Sequence, residues 1–131
     1  MKSAVRYYSR SGNTKLVAEA IAEAAGTSAV SVDSERAAID EPVDVLFIGG
    51  ALYAYGIDTH LKEYLKSLKK ANVKMAVVFS TTWISRHSID LIKKGLEEQG
   101  IEAAEEALHF RGRPNDRQLE QAKIFAKKFL R

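Results

Sequence analysis

Between residues 9 and 14 the chain gathers three hydroxyls (Ser9, Ser11, Thr14), a carboxamide (Asn13) and a glycine (Gly12) around one arginine, Arg10. Hydroxyls and amides donate hydrogen bonds without carrying charge. Gly12 lets backbone come close to a ligand. Residues 14–25 continue with helical periodicity, so the loop opens a helix. The first amides of a helix lack partners and carry partial positive charge. Together these groups suit a phosphate monoester, with Arg10 contributing through its backbone and its side chain turned to solvent. The same spacing also fits a plain strand-to-helix turn capped by serine.

Several other chemistries are excluded. There is no cysteine, which removes thiolate catalysis, disulfides and cysteine-held metals. Neither G-x-x-x-x-G-K-[ST] nor G-x-G-x-x-G occurs, so the common nucleotide loops are absent. A receiver domain needs an aspartate at the end of its third strand, where this chain has Gly49-Gly50. His60, His87 and His109 have no second His or Cys at ligand spacing, so no metal site is expected. No catalytic triad is read from the order of serines, histidines and aspartates.

The elements that must position the loop alternate between strand and helix. Residues 4–8 read as a strand. In the helix 14–25, Leu16, Val17, Ala20, Ile21 and Ala24 share a face, and Gly26 is a stop. Residues 29–32 form a short second strand, and 34–41 are too short for more than a loop or one turn. Residues 43–48, with Val45, Leu46, Phe47 and Ile48 continuously apolar, read as a strand buried on both faces, ended by Gly49-Gly50. Asp58 caps a helix carrying Leu61, Tyr64, Leu65 and Leu68. Residues 74–79 are a fourth strand, 88–99 a helix, and 101–110 a last strand despite a Glu-rich centre. Asn115 and Gln118 form a capping box for the final helix.

This alternation predicts a three-layer α/β/α sandwich on a five-stranded parallel sheet. At 131 residues one domain over 1–131 is expected. Ligands of such sheets bind beyond the carboxyl ends of the strands. Three loops meet there: 9–14, the segment after the third strand, and the segment after the fourth. The net charge of +3 and a pI of about 9.1 permit an acidic partner without requiring nucleic acid. No apolar run reaches membrane-spanning length, and the start lacks a secretory h-region, so a cytoplasmic protein is expected.

Tyr8-Ser9-Arg10-Ser11-Gly12-Asn13-Thr14 resembles the T/S-x-T/S-G-N-T phosphate loop of short-chain flavodoxins. The segment DVLFIGGALYAYGIDTHLKEYL is similar to that family's third strand, first flavin loop and following helix. MAVVFSTTW resembles its fourth strand and second flavin loop, and FRGRPND with the helix after it resembles the end of many short members. The resemblance implies a doubly wound sheet of order 2-1-3-4-5 with a shortened second crossover, and noncovalently bound FMN. It assigns the phosphate to Ser9, Arg10, Ser11, Gly12, Asn13 and Thr14. The ring then lies among Ala51, Leu52, Tyr53, Ala54, Tyr55 and Gly56 on one side, and Ser80, Thr81, Thr82 and Trp83 on the other. Tyr53, Tyr55 and Trp83 offer flat stacking surfaces. Gly50, Ala51 and Gly56 offer close backbone, and Thr81 and Thr82 offer hydroxyls to the pyrimidine end.

The implied function is electron transfer between protein redox partners, by a monomer with no membrane or nucleic-acid partner and no catalytic acid or base. The alternative is a small FMN-dependent NAD(P)H:quinone-type oxidoreductase, although such enzymes commonly carry insertions this short chain lacks. A flavodoxin-like activator of ribonucleotide reductase is a further reading, against which the second flavin loop lacks the usual glycines. One departure from the family is charge. Asp58 is the only acid in the two flavin loops, while His60, Arg86 and His87 lie close by, and Lys62, Lys66, Lys69 and Lys70 follow in one helix. An acidic redox partner and a less negative couple for the fully reduced flavin are expected. Arg6, in the first strand, has two candidate explanations. One is a thinly covered face where the second crossover is short; the other is pairing with Glu102, Glu105 or Glu106.

Overall fold

Val45, Leu46, Phe47 and Ile48 are each at most 2% exposed, which is possible only if both faces of their strand are covered. The computed structural model, which describes residues 1–53, 56–82 and 86–130, shows how. The chain runs β1 (Ser3–Tyr7), α1 (Asn13–Ala25), β2 (Ala29–Ser31), β3 (Val45–Gly50), β4 (Leu52–Tyr53) and β5 (Gly56–Ile57). It continues with α2 (Thr59–Ser67), β6 (Ala76–Ser80), α3 (His87–Glu98), β7 (Leu108–His109) and α4 (Asp116–Lys127). Five strands form one parallel sheet in the order β2-β1-β3-β6-β7. Counting only those strands, this is the expected 2-1-3-4-5.

Alternation along β3 builds two cores. Val45 and Phe47 join Val5, Val77 and Phe79 beneath Val17 and Ile21 of α1 and Ala122 and Phe125 of α4. Leu46 and Ile48 join Ala4, Ala76 and Val78 beneath Leu61 and Leu65 of α2 and Ile89, Ile92 and Leu96 of α3. Three helix ends follow the local sequence. Gly26 closes α1 in the left-handed conformation, its amide reaching the Glu23 carbonyl at 3.3 Å. Asp58 caps α2. Asn115 and Gln118 exchange 2.8 and 2.9 Å hydrogen bonds as a capping box on α4.

Three expectations about the elements are corrected. Gly49-Gly50 are not a break beyond β3 but its last two residues. Their smallness serves packing: a Cβ on Gly49 would lie 2.3 Å from the Phe79 ring, and one on Gly50 would lie 2.5 Å from Leu61 Cδ2. The last strand is only Leu108–His109, preceded by an isolated bridge from Ala103 to Ala76. Glu102, Glu105 and Glu106 are exposed at that edge, where charge discourages further strand pairing. Helix α2 stops at Ser67, so Lys69 and Lys70 lie beyond it.

Arg6 does not pair with Glu102, Glu105 or Glu106. The second crossover is a single 3₁₀ turn, Glu35–Ala37, so no helix covers that part of the sheet. Arg6 occupies the space and donates Nε–H to the Ala37 carbonyl at 2.7 Å. Tyr64 of α2 donates to the same carbonyl at 2.5 Å. One backbone oxygen thus anchors the shortened crossover to both the sheet and a helix.

Candidate functional site

Parallel strands end on one edge of the sheet, and the loops beyond β1, β3 and β6 meet there as expected. The loop after β1 turns into α1 at Gly12, whose φ of +95° is left-handed, a conformation that glycine adopts without a Cβ penalty. As the N-cap, Gly12 brings no capping side chain of its own. Ser9 Oγ accepts from the Gly12 amide at 2.9 Å, and Ser11 Oγ accepts from the Asn13 amide at 3.4 Å. Ser9 thus engages the amide of the N-cap glycine, and Ser11 makes a longer contact to the first amide of α1. A Cβ on Gly12 would meet nothing within 4 Å, so the loop faces open space.

Hydroxyls tie this loop to the one after β6. Thr14 Oγ1 lies 2.6 Å from Thr81 Oγ1, both residues being buried. Thr82 accepts from the Leu52 amide at 3.1 Å, which links the β6 loop to the β3 loop. Beneath it, Ser80, Thr82 and Ser88 form a closed hydroxyl triangle of 2.5, 2.8 and 3.1 Å. Ser88 was not singled out from sequence; its signal was a small polar residue in the first turn of a helix, adjoining the Ser-Thr-Thr run. The side chains of Thr81 and Thr82 are thus engaged with the protein itself, so contacts of this loop with a ring fall to its backbone or to a remaining hydroxyl lone pair.

The loop after β3 returns as a two-strand hairpin, with Leu52 opposite Ile57 and Tyr53 opposite Gly56. Gly56 adopts a φ of +113°. Ala51, Leu52 and Tyr53 are half-buried. Ala54, Tyr55 and Trp83 lie outside the described residues.

Arg10 is exposed, as expected, with 46% of its side chain accessible, but it is also paired. Its guanidinium reaches Asp58 Oδ2 at 2.6 and 3.2 Å, and Cζ sits 4.0 Å from the centroid of the Tyr53 ring. Asp58, 5% exposed in its side chain, also accepts from the His60 amide at 2.7 Å and lies 2.8 Å from His60 Nδ1. Burial by itself pushes the Asp58 carboxyl up; the His60 hydrogen bonds and the Arg10 charge together outweigh it and hold the group below its ordinary value. An ionised carboxylate only accepts, so His60 Nδ1 carries the proton. The His60 ring stacks on Tyr8, with centroids 4.9 Å apart and planes 11° from parallel. Burial raises the Tyr53 phenol, opposed by Arg10. Spacing alone did not reveal this arrangement, because Arg10 and Asp58 are far apart in the chain and meet only across two loops.

A model of the flavodoxin domain matches residues 4–128. No curated protein sequence gives a significant match. Oxidised flavodoxin 1 from Bacillus cereus is similar over 99% of this chain and 97% of its own, at 23% identity and a TM-score of 0.81. Flavodoxin 2 from the same organism is similar over 98% and 97%, at 20% identity and a TM-score of 0.78. Rubredoxin:oxygen oxidoreductase from Desulfovibrio gigas contains the same fold in 35% of its length, with 98% of this chain covered, 18% identity and a TM-score of 0.82. At such identities these likenesses speak to the fold, while the domain match speaks to descent. With that match spanning all but the ends of the sequence, the chain belongs to the flavodoxin family, whose members bind a flavin and carry electrons between redox proteins.

Proposed function

We propose that residues 1–131 act as one domain that binds FMN noncovalently and shuttles electrons between protein partners, at least one of them acidic, as a monomer. The carrying observation is the start of α1: its N-cap is Gly12, which brings no capping side chain of its own, and a Cβ there would meet nothing within 4 Å. A phosphate dianion there meets amide donors and a favourable dipole end. Ser9, Ser11, Asn13 and Thr14 add neutral donors, and the Arg10 backbone completes the turn. Because the Arg10 side chain belongs to Asp58, the phosphate is held by neutral groups.

The ring would lie between the β3 and β6 loops, against the backbone of Ala51 to Gly56 and of Ser80 to Trp83. Tyr53 is supported from behind by Arg10, which fixes one aromatic surface. Hydrogen bonds between Thr14 and Thr81 and between Leu52 and Thr82 preset the spacing of the three loops, so little ordering remains on binding. FMN supplies the redox chemistry; the chain orients it and sets the surrounding charge. The quinone-reductase alternative is not favoured by the family.

Calorimetric titration with FMN and, separately, riboflavin tests this reading. Uptake of FMN with clearly weaker uptake of riboflavin, which lacks the phosphate, is the expected result. No FMN uptake at millimolar excess would end it.

A further inference from the structure

Helices α2 and α3 leave a groove of about 210 Å³ between them. Its floor is apolar: Ile57, Leu65 and Leu91. At Gly95 the two helices approach closely, since a Cβ there would lie 2.8 Å from Leu65 Cδ1. Three lysines stand around it, Lys62 and Lys66 from α2 and Lys94 from α3, against one carboxylate, Glu98. All three are exposed, and among the described residues none makes an ion pair. Three lysines elsewhere do, Lys2 with Glu41, Lys123 with Glu23 and Glu120, and Lys128 with Glu106, so what marks the groove is three cations without such a pair around one apolar floor. The groove also adjoins the β4–β5 hairpin. A Cβ on Gly56 would lie 3.7 Å from Leu91 Cδ1 and 4.0 Å from Lys62 Nζ.

We infer that this lysine-rimmed groove is the docking face for an acidic electron-transfer protein, which seats an apolar side chain against Leu65 and Leu91 while its carboxylates meet Lys62, Lys66 and Lys94. The inference rests on the electron-carrier reading above and specifies where the partner binds. An apolar centre inside a charged rim is the anatomy of a protein interface. The volume is below the roughly 300–1,000 Å³ that encloses a drug-sized ligand, which disfavours a dinucleotide as occupant and suits one inserted side chain. Unpaired cations on one side of the molecule raise the encounter rate with an anionic surface. Contact of the groove with the hairpin puts the partner next to the loop proposed to hold the ring.

The test uses an acidic [2Fe–2S] ferredoxin as probe, with basic mitochondrial cytochrome c as the opposite charge control. Amide shifts of the ¹⁵N-labelled protein on addition of oxidised ferredoxin should cluster on α2, α3 and Gly56–Ile57. In the FMN-loaded protein, one electron passes from chemically reduced ferredoxin to the oxidised flavin, and its second-order rate should fall as salt rises. The triple variant Lys62→Glu, Lys66→Glu, Lys94→Glu should slow that step by about tenfold or more at low salt and speed reaction of the reduced protein with cytochrome c. The milder triple Lys→Gln set should slow the ferredoxin step in the same direction, and it serves if the reversal variant does not fold. Shifts elsewhere on the surface, or a ferredoxin rate indifferent to both salt and these changes, would overturn the inference. So would binding to phosphatidylserine vesicles that is tighter than to ferredoxin and lost in the variants. The amide-shift arm needs no flavin, so failure of FMN uptake would sink the cofactor assignment without deciding this one.

Discussion

The 2.6 Å contact between Thr14 and Thr81 joins two loops that are far apart in sequence, and its removal can be dissected. Thr14→Val keeps the volume but leaves the buried Thr81 hydroxyl without its partner. A loss of about 1–3 kcal/mol in urea unfolding is expected. Adding Thr81→Val removes both polar groups and should restore most of that stability, since an apolar pair strands no hydroxyl. Affinity for FMN should stay reduced in both variants if Thr14 also donates to the phosphate. Asp58 makes the other residue-scale prediction. Its folded-state pKa lies below the ordinary value, so its contribution to stability is present above the unfolded pKa of about 3.9 and is lost as pH falls through the lower, folded value. Asp58→Asn keeps a competent helix cap but no titrating charge. Its urea midpoint should therefore change less between pH 5 and pH 2.5 than that of the parent.

At the scale of elements, β3 and β6 are held close because position 49 has no side chain. Strand pairing sets Gly49 opposite Phe79, and the Phe79 ring covers it. Gly49→Ala puts a Cβ 2.6 Å from the Phe79 carbonyl as well as against the ring. Backbone cannot swing away as a flexible side chain can, so a cost of about 3 kcal/mol is expected, read as a lowered urea midpoint in the purified variant. The two glycines were legible as a break because Gly is depleted in strands. Their role as a close-approach site was not, because it depends on which strand lies alongside. The weak last strand has the opposite history. Its position was legible from the alternation of elements, but its length was not, since an edge strand pairs on one side only and tolerates the charged residues from Glu102 to Glu106.

Across the molecule, the distribution of charge sets the redox behaviour. Asp58, the only acid in the flavin loops, is bound to Arg10 and His60. Little net negative charge therefore remains near the proposed ring to oppose a negatively charged reduced flavin. A unit charge about 10 Å away at an effective dielectric near 20 is worth about 1.7 kcal/mol, on the order of 70 mV for one electron, less where solvent screens it. Spectroelectrochemical titration should find the couple of the fully reduced flavin less negative than in acidic flavodoxins. A couple equally low would refute this reading of the charges.

Periodicity, helix-capping residues and apolar strands at regular intervals were enough to read the alternation of strands and helices; the strand order came with the resemblance to flavodoxins. Those patterns are local properties: hydrophobic spacing and capping act within a few residues. Which partners Arg6 and Arg10 choose, what Ser88 bonds, and where lysines remain without carboxylates were settled by tertiary contact. Those outcomes depend on distances between segments that meet only after the helices pack, and no local pattern encodes them.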